Sequence, residues 1–126
     1  MNYALIITAV NGFLVVLLGA FGAHALEAIL SQQQLETWDT AVQYHMFHTA
    51  ALFGTGLLWQ NRPGNILINR ATNLFLGGLI IFCGSLYILA LTGISMLGMI
   101  TPIGGVMFLG AWACLLYAVI TGEKRG

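Results

Sequence analysis

The sequence predicts an all-α membrane protein, a bundle of four transmembrane helices, antiparallel up-down, with a short amphipathic segment between helices 1 and 2. Three observations lead there. Of 126 residues, 59% are hydrophobic and only 6% charged, with a mean hydropathy of +0.89, whereas a soluble domain carries roughly a quarter charged residues. The apolar residues gather into four runs, each near the ~20 residues that cross about 30 Å of hydrocarbon. Within each run successive residues are apolar, without the alternation that a polar lumen imposes on a barrel strand. Residues 1–126 therefore read as one transmembrane domain with spans near 3–23, 41–59, 71–92 and 98–121.

Composition also removes classes of function. Four basic and four acidic side chains give a formal net charge of zero, so there is no basic face to neutralise a phosphate backbone, and nucleic acid is excluded as a partner. Four spans leave no room for a soluble catalytic domain. No Gly-x-Ser-x-Gly, phosphate loop or pair of intramembrane aspartates occurs, so no catalytic residue and no cofactor is assigned, and an enzyme is the weaker reading.

The first span, Tyr3 to Ala23, ends on Ala23-His24-Ala25, which has the small-x-small look of a signal-peptide cleavage site. Its apolar run of about twenty residues is longer than the 7–15 of a signal sequence, and no Lys or Arg precedes it, so it reads as a retained helix. Between the first two spans, Ser31 and Gln34 have capping-box spacing and predict that helix 2 starts near Gln32. Leu35, Trp38 and Val42 then share one side of an extension with Glu36 and Asp39 elsewhere, an amphipathic stretch at the interface; an ordinary polar loop is the alternative. Trp38 and Trp59 are 21 residues apart, about 31 Å along a helix, as two interfacial anchors would be.

Arg62 and Arg70 flank the second connection and Lys124 and Arg125 end the chain, while the first and third connections carry no Lys or Arg. Positive-inside bias puts both termini in the cytoplasm and Glu27, Glu36 and Asp39 outside, as expected for a multi-pass protein of the cell inner membrane. In lipid, close approach through small residues must do much of the packing. Sixteen glycines are available. Gly12, Gly19 and Gly22 share a stripe of helix 1 bordered by Asn11, Gly77 and Gly84 lie on helix 3, and Gly105 lies on helix 4 behind Pro102 in its first turn. Asn11-x-Phe13-Leu14-x-x-Leu17 also matches Asn73-x-Phe75-Leu76-x-x-Leu79, a trace of parallel duplication or a chance match in an apolar alphabet.

Intramembrane histidines point to function by default. On helix 2, Thr37, Ala41, Tyr44, His48, Leu52 and Thr55 form one stripe bordered by His45 and Thr49, with Met46, Ala50, Phe53 and Leu57 opposite. The first face is expected to look into the bundle and the second into lipid. His24 and Glu27 leave helix 1 at a similar depth, so His24, Glu27, Tyr44, His45 and His48, with Asp39, are the candidates for a ligand or proton site near the outer leaflet. Three readings stay open: an interhelical hydrogen-bond network, a site for a proton or small polar ligand, and a metal or haem site. The i, i+3 spacing of the histidines lacks the form of a metal motif, so no metal ligand is assigned. Cys83 and Cys114 lie at different depths and read as packed thiols rather than a disulfide.

GAFGAHAL at Gly19 to Leu26, TAVQYHMFH at Thr40 to His48, FCGSLYILALTG at Phe82 to Gly93 and ITPIGGVMFLGAW at Ile100 to Trp112 resemble, in that order, the YgdD/YwdK family of small bacterial membrane proteins. The resemblance covers nearly the whole chain. It implies a multi-pass inner-membrane protein and supplies no activity. Its motif positions include His24, Tyr44, His48, Gly84, Ser85, Tyr87, Pro102, Gly104, Gly105 and Trp112, none with a role to transfer. The expected partners are the lipid bilayer and either further copies of the chain or another membrane protein.

Overall fold

A computed structural model describes residues 2–123; Lys124 and Arg125, half of the basic residues behind the predicted orientation, lie outside the described residues. Among those described, the protein is all helical. Asn2 caps α1 (Tyr3–His24) by accepting the Leu5 N–H on its side-chain oxygen. Ser31 and Gln34 form the expected reciprocal box, in which each side chain accepts the other's backbone N–H. They start α2 (Gln32–Asn61) where the spacing predicts.

Pro63 and Gly64, the latter at φ 83° where a Cβ would be strained, turn the chain into α3. Asn65 caps α3 (Ile66–Thr92) through bonds from the Leu67 and Ile68 amides. Inside α3 the turn Leu79–Cys83 is π-helical, and the Gly84 amide reaches back as far as the Leu79 carbonyl. Gly93, left-handed at φ 71°, ends α3 with its amide on the Leu89 carbonyl. A 3₁₀ turn, Ser95–Met99, leads into α4 (Thr101–Glu123), with Pro102 in its first turn where no intrahelical N–H is needed.

Three helical stretches, Tyr3–His24, Ile66–Thr92 and Ser95–Gly122, are long and apolar enough to cross a membrane. The 30-residue α2 is long enough but more polar, since Gln43, Tyr44, His45, His48 and Thr49 sit in its middle. The central core joins Leu52 of α2, Ala71, Phe75, Leu79 and Cys83 of α3, and Phe108 and Ala111 of α4. In contrast, α1 makes its extensive contact with α2 alone. Asn2 donates to the Gly56 carbonyl at 2.9 Å and Trp38 donates its indole N–H to the Leu18 carbonyl at 3.0 Å, which sets the start of α1 beside the end of α2.

The structure corrects two expectations. Trp38 is no interfacial anchor: it is 3% exposed, in a second cluster with Leu26 and Ala90, with Leu35 and Val42 packed beside it. The apolar side of the α2 extension is thus covered by α1 and α3. Among the predicted packing glycines, a Cβ at Gly12 or Gly84 would meet nothing within 4 Å, and at Gly19 or Gly105 only ordinary contacts. At Gly77 only the flexible end of Met107 would have to move, whereas Gly22, under the Trp38 indole, is a genuine close approach. So are Gly56, Gly78 and Gly104; the last faces the backbone of Phe82 in the π turn, where any side chain would force the helices apart.

Candidate functional site

The buried stripe of α2 is close to the expected one. Ala41, His48, Leu52 and Thr55 are buried, as are the bordering His45 and Thr49, while Met46, Phe53 and Leu57 are exposed on the opposite face. Tyr44 departs from the stripe: its ring is exposed, tilted over Phe82 with centroids 4.5 Å apart. Helix 2 also carries an apolar stripe at the same spacing, through Met46, Phe53 and Leu57, and that stripe is left on the outer face while the polar groups meet the neighbouring helices.

His45 and His48, one turn apart, belong to separate networks. His45 ties together three helices. Its Nε2 lies 2.9 Å from Asn11 Oδ1 on α1, and its Nδ1 lies 2.9 Å from the Tyr87 hydroxyl on α3. The Asn11 amide N–H donates to the Ile7 carbonyl at 2.9 Å, so the Asn11 oxygen is the acceptor and His45 Nε2 carries a proton. In a neutral ring Nδ1 then accepts from Tyr87, completing a directed chain from Tyr87 through His45 to Asn11 and the Ile7 carbonyl. Thr49 donates to the His45 carbonyl at 2.6 Å.

His48 faces α4. Its Nδ1 donates to the Tyr44 carbonyl at 2.9 Å and its Nε2 accepts from the Trp112 indole at 3.2 Å. Its ring stacks on Phe108 with centroids 3.6 Å apart and planes within 9°, and Phe47, Phe75 and Trp112 surround it. A further polar link closes α3 on α4, where the Ser85 and Thr101 hydroxyls are 2.6 Å apart beside the π turn.

Of the other candidates, His24, Glu27 and Asp39 are exposed around the first connection and make no side-chain bond to either imidazole. Among the described residues no three His, Cys, Asp or Glu side chains gather with the spacing of a metal site. Cys83 and Cys114 are free thiols. Sequence reasoning missed Tyr87, Trp112 and Phe108 as the partners of the histidines. The available signal was that a Tyr or Trp tip in an apolar helix must find a hydrogen-bond partner.

Among the described residues, cavities lie toward the ends of the helices. One, of about 660 Å³, runs from Arg62 to Leu67 and reaches Thr121 and Gly122. One of about 320 Å³ lies between Gln33, Thr37 and Ser95, and one of about 270 Å³ between Asn2, Trp59, Asn69 and Asn73.

Residues 18–105 match a family described as "Protein of unknown function (DUF423)". Among curated relatives, the UPF0382 membrane protein YwdK of Bacillus subtilis is 43% identical over 120 residues, covering 95% of this chain and 98% of its own. A UPF0382 membrane protein of Staphylococcus aureus is 43% identical over 118 residues, 94% of this chain and 95% of its own. The UPF0382 inner membrane protein YgdD of Escherichia coli is 37% identical over 125 residues, 99% of this chain and 95% of its own. No solved structure matches the chain. The chain belongs to this DUF423/UPF0382 family of membrane proteins.

Proposed function

We propose that the protein is a four-span, multi-pass protein of the inner membrane, with both termini cytoplasmic, that works as a non-catalytic helical bundle, either as a homo-oligomer or as an accessory subunit of a membrane complex. The inner-membrane placement follows the name of the E. coli relative. In this reading α2 is the fourth span and the bundle is antiparallel up-down. Its polar stripe avoids lipid because neighbouring helices cover it, as intramembrane polar groups require.

One observation carries the assignment. All four ring nitrogens of His45 and His48 are engaged by protein groups, on Asn11, Tyr87, Tyr44 and Trp112. A metal or haem iron binds the imidazole lone pair. On His48 that lone pair already accepts the indole N–H, and on neutral His45 the tyrosine O–H, so ligation would have to break a buried bond. The histidines read best as interhelical links.

Native mass spectrometry in gentle detergent tests this reading. The expected spectrum is a defined oligomer, or a complex with one co-purifying membrane protein, whose mass carries neither haem nor metal. A haem or metal increment on the chain would overturn it, and so would a bare monomer.

A second reading is favoured by the Tyr87–His45–Asn11 chain, which crosses from α3 to α1 through groups able to pass a proton. It makes the protein a proton or small-solute carrier. Proteoliposomes under an imposed pH gradient should then leak protons, and Tyr87→Phe should abolish the leak. Tight liposomes would remove this alternative.

A further inference from the structure

We propose that the cavity where α2, α3 and α4 meet binds a phosphate group, and that in the membrane this phosphate is the headgroup of an anionic phospholipid. The cavity, about 660 Å³, is lined by the turn Arg62–Asn65, the first residues of α3, and Thr121 and Gly122 of α4. That volume suits a small ligand or a headgroup. Among the described residues, Arg62 is the only charged one lining it.

The guanidinium is positioned by the fold. Its Nη1 donates to the Ala118 carbonyl at 2.9 Å, and it lies against Gly122, where a Cβ would collide with it. A guanidinium carries five N–H donors in a planar fork, and this bond uses one. Such a fork matches two phosphate oxygens at once. The beginning of α3 borders the same space, and its partial positive charge adds to the attraction without creating it.

Location selects the source of the phosphate. The cavity opens at the end of the bundle that holds Arg62, Trp59 and the start of α3, and basic pockets between spans at headgroup level take anionic lipid phosphates. This step rests on the four-span reading above. Cysteine labelling at Gln33 and Asn61 reports on that reading separately, so the failure of one is distinguishable from the failure of the other.

The test is native mass spectrometry of the full chain released from nanodiscs of equal phosphatidylglycerol and phosphatidylcholine. The expected result is a roughly fivefold excess of phosphatidylglycerol adducts, as one interfacial cation confers. Arg62→Gln should bring it to parity and Arg70→Gln, at the same end but outside the cavity, should leave it intact. Because Arg62→Gln also removes the bond to the Ala118 carbonyl, the wild-type ratio is decisive alone: parity there overturns the proposal. Equal loss in both variants would mean diffuse surface charge and would overturn it too. Inorganic phosphate added to phosphatidylcholine nanodiscs separates the sources. A phosphate-dependent rise in melting temperature together with lipid parity would overturn the lipid assignment in favour of a soluble phosphate.

Discussion

Trp112 donates its indole N–H to Nε2 of His48 across 3.2 Å, from one helix to another and 64 residues away in sequence. An indole has no acceptor and the Tyr44 carbonyl has no donor, so together they fix His48 as the neutral ring with its proton on Nδ1. His45, whose Nε2 faces the Asn11 oxygen, carries the opposite tautomer.

Nitrogen-15 NMR of histidine-labelled protein in detergent should therefore show two buried imidazoles of opposite tautomer, Nδ1–H for His48 and Nε2–H for His45. His48→Gln identifies the signals by loss of one set. Two identical tautomers would refute the hydrogen-bond direction at one of the two rings.

The bond from Trp112 to His48 should contribute measurably to stability. Trp112→Phe keeps most of the ring packing but leaves Nε2 without its donor, at a cost of about 1–3 kcal/mol. In a double-mutant cycle with His48→Leu, the coupling should be about 0.6–1.7 kcal/mol, the range for interhelical bonds in membranes. Additive losses in reversible unfolding would show that the bond contributes nothing.

Glycine substitutions should separate close helix approaches from open surface. Gly22→Leu would drive a side chain into the Trp38 indole and Gly104→Ala into the Phe82 backbone. Each should cost on the order of 1–3 kcal/mol by overpacking. Gly12→Ala, inside α1 with nothing within 4 Å of the new Cβ, should not destabilise, and the better helix propensity of Ala should add up to about 1 kcal/mol. A Gly12 variant as damaging as Gly104→Ala would mean that another surface covers α1 in the membrane.

Orientation is tested by labelling. In a background with Cys83 and Cys114 replaced by Ala, a cysteine at Gln33 should react with a membrane-impermeant maleimide in cells whose inner membrane is intact. One at Asn61 should react only after that membrane is opened. The reverse pattern would place the termini outside.

Much of this architecture was legible because it is local. The Ser31–Gln34 box fixes the first residue of α2, and periodicity alone separates buried His48, Leu52 and Thr55 from exposed Met46 and Phe53. What periodicity does not contain is the register between helices. That register decides whether His45 meets Tyr87 or His24, and whether Gly12 or Gly56 sits at a crossing. Trp38 shows the same gap: a tryptophan near the end of an apolar run suits an interface, yet the Gly22 notch opposite makes a pocket for it. The histidines were recognisable as unusual, but their partners were not. Asn11, Tyr87 and Trp112 come from three other helices, and only tertiary structure brings them together.

The π turn at Leu79–Cys83 takes in one residue more than an α-helical turn, and because its bonds close one residue further on it absorbs that surplus locally. The segments on either side therefore stay in phase: Ala71 and Phe75 before the turn hold their seats in the core, and Ser85, Tyr87 and Ala90 after it still meet Thr101, His45 and Trp38. A single-codon deletion at Ile81 should thus let the turn close as ordinary α-helix while both halves of α3 keep their partners. What the deletion should change is the backbone bulge at Phe82, which Gly104 of α4 receives because it has no side chain. The surplus residue acts as a protrusion on one helix fitted to a recess in the next.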